Sequence, residues 1–139
     1  MTNPYKLLQL ALAVFGVIAL LLYPLSVVWP SGWAWHAGAP YESEYFMMIV
    51  GIYATIGVFL LYAARKPEAN LSFIWFAVWS SLVHAVIMAV QSFGHGQHMG
   101  HLWGDVPALL LVAVVLAVLV RAAGIKQPVA AGSGGCSSA

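Results

Sequence analysis

The chain has 139 residues, of which 63% are hydrophobic and only 6% are charged, and its mean hydropathy is +0.92. About a quarter of the residues in a soluble globular domain are charged, so this composition excludes a water-soluble fold of this size and favours a membrane domain. The net charge of +1 gives no basic patch for nucleic acid, and the single cysteine, Cys136, excludes an intramolecular disulfide.

Four apolar segments are each long enough to cross the hydrocarbon core of a bilayer, which takes about 20 helical residues. Because unpaired backbone amides are costly in lipid, we expect these segments to be helices rather than strands. The predicted helices cover about residues 7–28, 45–64, 71–93 and 106–123. The predicted fold class is therefore all-α, a polytopic membrane protein whose residues 1–126 form a four-helix transmembrane bundle.

Proline and glycine mark the ends and irregularities of these helices. Pro24 lies inside the first helix and is expected to bend it, because proline lacks an amide hydrogen. Asp105 is predicted to be the N-cap of the fourth helix, with Pro107 in its first turn. Residues 127–139 are mostly glycine, serine and alanine and are expected to form a disordered tail.

The basic residues predict the orientation of the chain. A four-pass topology puts all five on the same side of the membrane, and they are Lys6, Arg65, Lys66, Arg121 and Lys126. Because basic loops are retained in the cytoplasm, that side is predicted to be cytoplasmic. We therefore expect a multi-pass protein of the bacterial inner (plasma) membrane, with both termini in the cytoplasm.

Histidines and carboxylates gather in the two loops predicted on the outer side. The loop before the fourth helix contains the pattern H-x2-H-x2-H, and imidazole and carboxylate groups are ligands for zinc, copper, iron or nickel. The predicted metal ligands are His95, His98, His101, Asp105, His36 and Glu44. Since no second fixed element such as H-E-x-x-H accompanies them, the alternative is a polar, glycine-rich loop that tolerates histidine at the interface.

A second candidate site lies within the predicted membrane spans. His84 falls near the middle of the third helix, where an ionisable side chain is by default a functional hypothesis. At helical spacing it belongs to a polar stripe that could face a stripe on the second helix and form a path for protons, an ion or a quinone head group. The predicted members of this path are His84, Gln91, Ser80 and Thr55. The alternative is one interhelical hydrogen bond, worth about 0.6 kcal/mol on average.

The third helix also has small residues at four-residue spacing, which allow a neighbouring helix to approach closely. These residues are Ala77, Ser81, Ala85 and Ala89, and Ala113 and Ala117 on the fourth helix are similar. We predict that they are packing faces, and that the third helix is also the surface through which the chain forms a homo-oligomer or joins a larger membrane complex.

Part of the chain resembles a known group of membrane proteins. Four segments resemble small bacterial four-helix membrane proteins of the DoxX-like kind. They are Glu44-Tyr45, the stretch from Gly51 to Gly57, Arg65-Lys66-Pro67 and the stretch from Trp75 to His84. The resemblance covers about residues 44–91 and implies a compact bundle of four helices. Since the DoxX name is associated with a quinone-linked sulfur oxidoreductase subunit, it also implies that contact with quinone is conceivable.

These patterns leave several functions open. The leading interpretation is a non-enzymatic accessory or sensor protein in the lipid bilayer, whose outer His/Asp/Glu cluster binds a transition metal (zinc or copper) or responds to pH. One alternative is a redox subunit that contacts quinone or haem through His84 and the outer histidines. The others are a small oligomeric transporter and a structural subunit that acts through the small-residue face of the third helix.

Overall fold

The computed structural model describes residues 3–28, 39–94 and 102–126, and all regular structure in these ranges is helical. The α-helices are α1 (Pro4–Leu20), α2 (Leu22–Val28), α3 (Glu44–Arg65), α4 (Leu71–Gly94) and α5 (Asp105–Ala122), with short 3-10 turns at Pro40–Glu42 and Pro67–Asn70. Within these ranges three helices are long and apolar enough to cross a membrane, and there are four if the bent pair α1–α2 forms one span. The prediction of an all-helical chain with helices suited to a membrane is therefore confirmed for these ranges. The predicted tail at residues 127–139 lies outside them.

The first predicted helix, residues 7–28, is in fact two helices. The axes of α1 and α2 differ by 58°, with the break at Leu21. Pro24 is the cause in the sequence, because it has no amide hydrogen to donate to the Leu20 carbonyl four residues earlier and its ring crowds that carbonyl. The bend expected at Pro24 therefore appears one turn earlier in the chain.

The start of α5 differs from its predicted form. Gly104 is the N-cap and no side chain caps the helix there, whereas Asp105 is the first helical residue. The predicted N-cap role of Asp105 is therefore wrong. In the first turn its carboxylate is instead stabilised by the positive end of the helix dipole. Pro107 lies in the same turn, where its missing N–H leaves no helical hydrogen bond unmade.

A close backbone-to-backbone approach joins α1 to α3. A methyl group added at Gly57 would lie 2.7 Å from the carbonyl oxygen of Gly16, and one added at Gly16 would lie 3.0 Å from the carbonyl oxygen of Gly57. The two glycines thus let the helices touch backbone to backbone, as small residues do in membrane helix pairs. Elsewhere α4 packs along α5, α1 also contacts α5, and the contact between α3 and α4 is smaller.

The apolar core lies toward one end of these helices. It is formed by the beginning of α1, the end of α3, the beginning of α4 and the second half of α5. Its buried members are Leu8, Leu12, Leu60, Ala63, Ile74, Ala77, Val78, Ala113, Leu116 and Val120. Ala77 and Ala85, from the predicted small-residue face, are both buried, so these two positions pack inside the chain.

Polar contacts join the helix ends next to this core. The Tyr5 hydroxyl donates to a Glu68 carboxylate oxygen at 2.8 Å, and the Gln9 side chain donates to the Ala64 carbonyl at 2.9 Å. The Arg121 guanidinium lies over the Trp75 ring, 5.8 Å from its centroid. The beginning of α1, the turn after α3, the beginning of α4 and the end of α5 therefore lie at the same end of the molecule.

The glycine crossing predicts how two substitutions in α3 affect stability. Because a methyl group at Gly57 would meet a backbone oxygen, Gly57→Ala should push α1 away and lower the free energy of unfolding by about 1–3 kcal/mol, the usual range for overpacking. Gly51→Ala is the matched control, since nothing lies within 4 Å of the added methyl group. Thermal unfolding in detergent measures both. Equal melting temperatures for the two variants would contradict the crossing.

Candidate functional site

A tyrosine and a histidine join α3 to α4 near the middle of both helices. The Tyr53 hydroxyl oxygen and His84 Nδ1 are hydrogen-bonded at 2.6 Å, and the two ring centroids are 5.8 Å apart. Tyr53 lies nine residues after Glu44, about 14 Å along α3, and His84 lies ten residues before Gly94, about 15 Å along α4. The two rings therefore lie at a similar depth from the end of the molecule at which α3 begins and α4 ends, and both side chains are half-buried.

The helical repeat explains why these two side chains point toward the interior. Tyr53 precedes the buried Gly57 by four residues and the buried Leu60 by seven, so it shares their face of α3. His84 follows the buried Ala77 by seven residues on α4. Both rings therefore continue the packing faces of their helices beyond the apolar core.

Asp105 adds a charge to this pair. It lies in the first turn of α5, and its negative charge contributes at longer range to the electrostatic field at Tyr53 and His84, where burial away from water is the larger influence. The sequence assigned Asp105 to the outer metal ligands and His84 to a separate path, whereas in the structure a longer-range electrostatic influence links the two. We call this group, to which α3, α4 and α5 each contribute one residue, the Tyr53–His84–Asp105 site.

The hydrogen bond in this site can exist in two polarities. With a neutral ring protonated on Nε2, His84 Nδ1 accepts the hydroxyl proton of Tyr53. When the ring is protonated on both nitrogens, Nδ1–H donates and the tyrosine oxygen accepts. A change in protonation therefore reverses the bond without breaking it and leaves the tyrosine proton free to donate elsewhere. A nearby carboxylate favours an imidazolium, whereas burial away from water disfavours it.

The predicted path has three other members, Thr55, Ser80 and Gln91, and the structure does not bring all of them to His84. Thr55 is exposed, and its hydroxyl donates to the Gly51 carbonyl of its own helix at 3.0 Å. It is two residues from Tyr53, which is a rotation of about 200° around the helix. Ser80 is half-buried one turn from His84, on the same face of α4, and Gln91 is exposed. The structure thus pairs Tyr53, and not Thr55, with His84.

Two of the six predicted metal ligands, Glu44 and Asp105, lie within the described residues. His36, His95, His98 and His101 lie outside the described residues. Glu44 is exposed in the first turn of α3. Within residues 3–28, 39–94 and 102–126, no three His, Cys, Asp or Glu side chains are grouped closely enough to hold a metal ion. The metal site therefore remains a prediction.

Tyr53 is the residue of the candidate site that sequence reasoning missed. Its position in the sequence could have identified it, because it lies one helical turn from Gly57 and at the same depth as His84. A phenol at that depth needs a hydrogen-bond partner, and a histidine on the neighbouring helix supplies one.

Fold and site together define a helical protein with membrane-type helices and a polar group near the middle of them. Residues 2–135 match the model of a family of unknown function (DUF6632), and the chain belongs to this family. No curated protein and no solved structure matches the chain. The resemblance to DoxX-like proteins is not tested by these comparisons and stays a prediction.

The hydrogen bond of the site predicts the effect of removing one hydroxyl group. Tyr53→Phe keeps the ring but removes the partner of His84 Nδ1, so we expect the free energy of unfolding to fall by about 0.5–1.5 kcal/mol. Tyr62→Phe is the same change on the same helix at a position that is 58% exposed, and it should leave stability almost unchanged. Thermal unfolding in one detergent compares them. Equal losses would show that the bond to His84 contributes nothing measurable.

Proposed function

We propose that this protein is a small accessory or sensor protein of the bacterial inner membrane whose Tyr53–His84–Asp105 site responds to protons. The observation that carries the proposal is the 2.6 Å hydrogen bond between Tyr53 and His84. An ionisable side chain inside a membrane span is costly and marks a functional site by default. The three residues come from three helices, so a change in their protonation acts on the arrangement of those helices.

In this proposal the chain crosses the membrane four times as a four-helix bundle, with the bent pair α1–α2 as the first span and both termini in the cytoplasm. Two contacts support a common side for the basic residues. The Tyr5–Glu68 hydrogen bond joins the beginning of α1 to the turn after α3, and the Arg121–Trp75 contact joins the end of α5 to the beginning of α4. Basic residues on one side indicate the cytoplasm.

The topology can be tested with single cysteines in a Cys136→Ser background. Lys126 and Trp103 are exposed positions at opposite ends of α5. Lys126→Cys should react with a membrane-impermeant thiol reagent only after the cells are opened, whereas Trp103→Cys should react in intact spheroplasts. Labelling of Lys126→Cys from outside would overturn the orientation.

Sensing requires that protonation of His84 change a part of the chain that other molecules can detect. Asp105 begins α5, and Trp103, two residues earlier, is 86% exposed. A positively charged His84 attracts the Asp105 carboxylate, and this attraction acts on the start of α5 and on Trp103 beside it. Trp103 is therefore the natural reporter of the state of the site.

The experiment follows the histidine rings by nitrogen NMR in lipid nanodiscs between pH 5 and 8, with the His84 signals assigned by their loss in His84→Gln. We expect Nδ1 of His84 to gain a proton as the pH falls, and the emission of Trp103 to change with it. Asp105→Asn should lower the protonated fraction of His84 at a given pH, because a neutral amide no longer favours the imidazolium. Glu44→Gln, at an exposed carboxylate of α3, is the control and should have little effect.

Two results would overturn the proposal. One is a His84 ring that does not titrate in this range. The other is a titration that leaves Trp103 emission unchanged, since the site would then be ionisable without signalling. Trp103→Phe identifies the part of the emission that belongs to this residue.

The metal-binding form of the proposal adds the outer histidines to the site. The segment 95–104 joins α4, which carries His84, to α5, which begins with Asp105, and it contains His95, His98 and His101. Calorimetric titration with zinc and copper distinguishes this form. Binding that is lost in the His98→Ala/His101→Ala double variant but kept in His84→Gln supports it, and unchanged binding in the double variant overturns it.

A second candidate function is a quinone- or haem-linked redox subunit. One observation favours it: a half-buried imidazole and a phenol lie together where α3 and α4 have only a small contact, so a head group from the bilayer could reach them. An absorption spectrum of the purified protein detects haem, and organic extraction detects quinone. Loss of either molecule in His84→Gln would move this function ahead of the sensor.

A further inference from the structure

A shallow depression on the surface of α3 lies away from the Tyr53–His84–Asp105 site. Its volume is about 250 Å³, and it is lined by Val58, Leu61, Tyr62 and Arg65. These residues follow one another at helical spacing, so they form one strip along the last two turns of α3. Leu61 borders α1, because its side chain would contact a methyl group placed at Gly16.

The depression is apolar at one end and positively charged at the other. Arg65 is the last residue of the helix, and Val58 and Leu61 precede it by about 10 Å and 6 Å along the axis. Val58 and Tyr62 are more than half exposed, and Arg65 is exposed as well. On a helix of this hydropathy, such an exposed strip has lipid as its natural neighbour.

Arg65 is available to a ligand from outside the chain. Among the described residues no carboxylate forms an ion pair with Arg65, while Glu68 in the next turn accepts the Tyr5 hydroxyl. Arg121, the other arginine, lies over the Trp75 ring instead. The planar guanidinium presents several N–H donors and matches the oxygens of a phosphate group.

We propose that this depression binds one anionic phospholipid of the surrounding bilayer. The phosphate lies at Arg65, where the Tyr62 hydroxyl can add a hydrogen bond, and the upper part of an acyl chain lies along Val58 and Leu61. Charge complementarity selects an anionic head group, and the apolar end selects a lipid over free phosphate. This inference needs only that α3 spans a membrane, and it does not depend on the sensor function.

The test counts lipids bound to the detergent-purified protein by native mass spectrometry. Phosphatidylglycerol and phosphatidylcholine with identical acyl chains are compared, and inorganic phosphate is added as a competitor. We expect tighter binding of phosphatidylglycerol and no competition by phosphate. Arg65→Gln should weaken phosphatidylglycerol binding about fivefold, which corresponds to the roughly 1 kcal/mol that one basic residue contributes near an anionic surface.

Matched variants separate a site from general attraction to positive charge. Lys66→Gln and Arg121→Gln remove the same charge from the same end of the molecule and should leave phosphatidylglycerol binding near that of the parent chain. Val58→Trp changes no charge but fills the depression, so it should weaken binding of both lipids. Val58→Phe is the smaller replacement if the tryptophan variant folds poorly.

Four outcomes would overturn the proposal. Equal losses in all three glutamine variants would indicate diffuse attraction to positive charge. Unchanged binding in the folded Val58 variant, or no preference for phosphatidylglycerol in the parent chain, would show that the depression is not the site. Competition by inorganic phosphate would show an anion site that does not recognise the lipid.

Discussion

The arrangement of the helices depends on the contact between Gly16 and Gly57. Any side chain at either position would meet the backbone of the other helix, so α1 and α3 can cross this closely only at glycine. The crossing brings α1 against α3, and α1 also contacts α5, which packs along α4. Large apolar side chains then fill the space toward the beginning of α1, and the core lies at that end. The other halves of α3 and α4 are left with less packing between them.

The Tyr53–His84 bond lies in this less packed region, and its position affects what it can do. Besides this bond, the ring contact of Phe59 with Phe73, with centroids 5.5 Å apart, links α3 to α4 nearer the core. A hydrogen bond between membrane helices contributes about 0.6 kcal/mol on average, which is too little to hold a fold together by itself. A weak bond between two sparsely packed helices is well suited to an element that changes state, because its reversal disturbs few other contacts.

The sequence predicts the helices well, since their boundaries depend on local signals. The ends of α3, α4 and α5 follow from apolar runs of membrane length, from Arg65-Lys66-Pro67 and from the glycines before Asp105. Pro24 accounts for the break between α1 and α2. The N-cap of α5 was wrong because Gly104 and Asp105 are both good N-cap residues, and backbone geometry decides between neighbours.

The site was harder to predict, because its composition depends on how α3 is rotated. Tyr53 and Thr55 have nearly the same depth, and both are polar enough to bond a histidine. Only the rotation of α3 about its axis decides which one faces α4, and that rotation depends on Gly57 meeting Gly16 in a helix far away in sequence. Asp105 was assigned to the outer loops for a similar reason, since spacing along the chain cannot show that its charge is felt at His84.

Asp105 makes the proton and metal hypotheses mutually dependent. The same carboxylate acts on His84 and belongs to the predicted metal ligands. A cation bound to Asp105 would neutralise the charge that favours an imidazolium at His84, and a protonated His84 would in turn compete with the cation for the carboxylate. Linkage requires these two effects to be equal in free energy. A metal bound to the outer histidines through Asp105 would therefore make the site release its proton, so one carboxylate at the start of α5 would report both pH and metal.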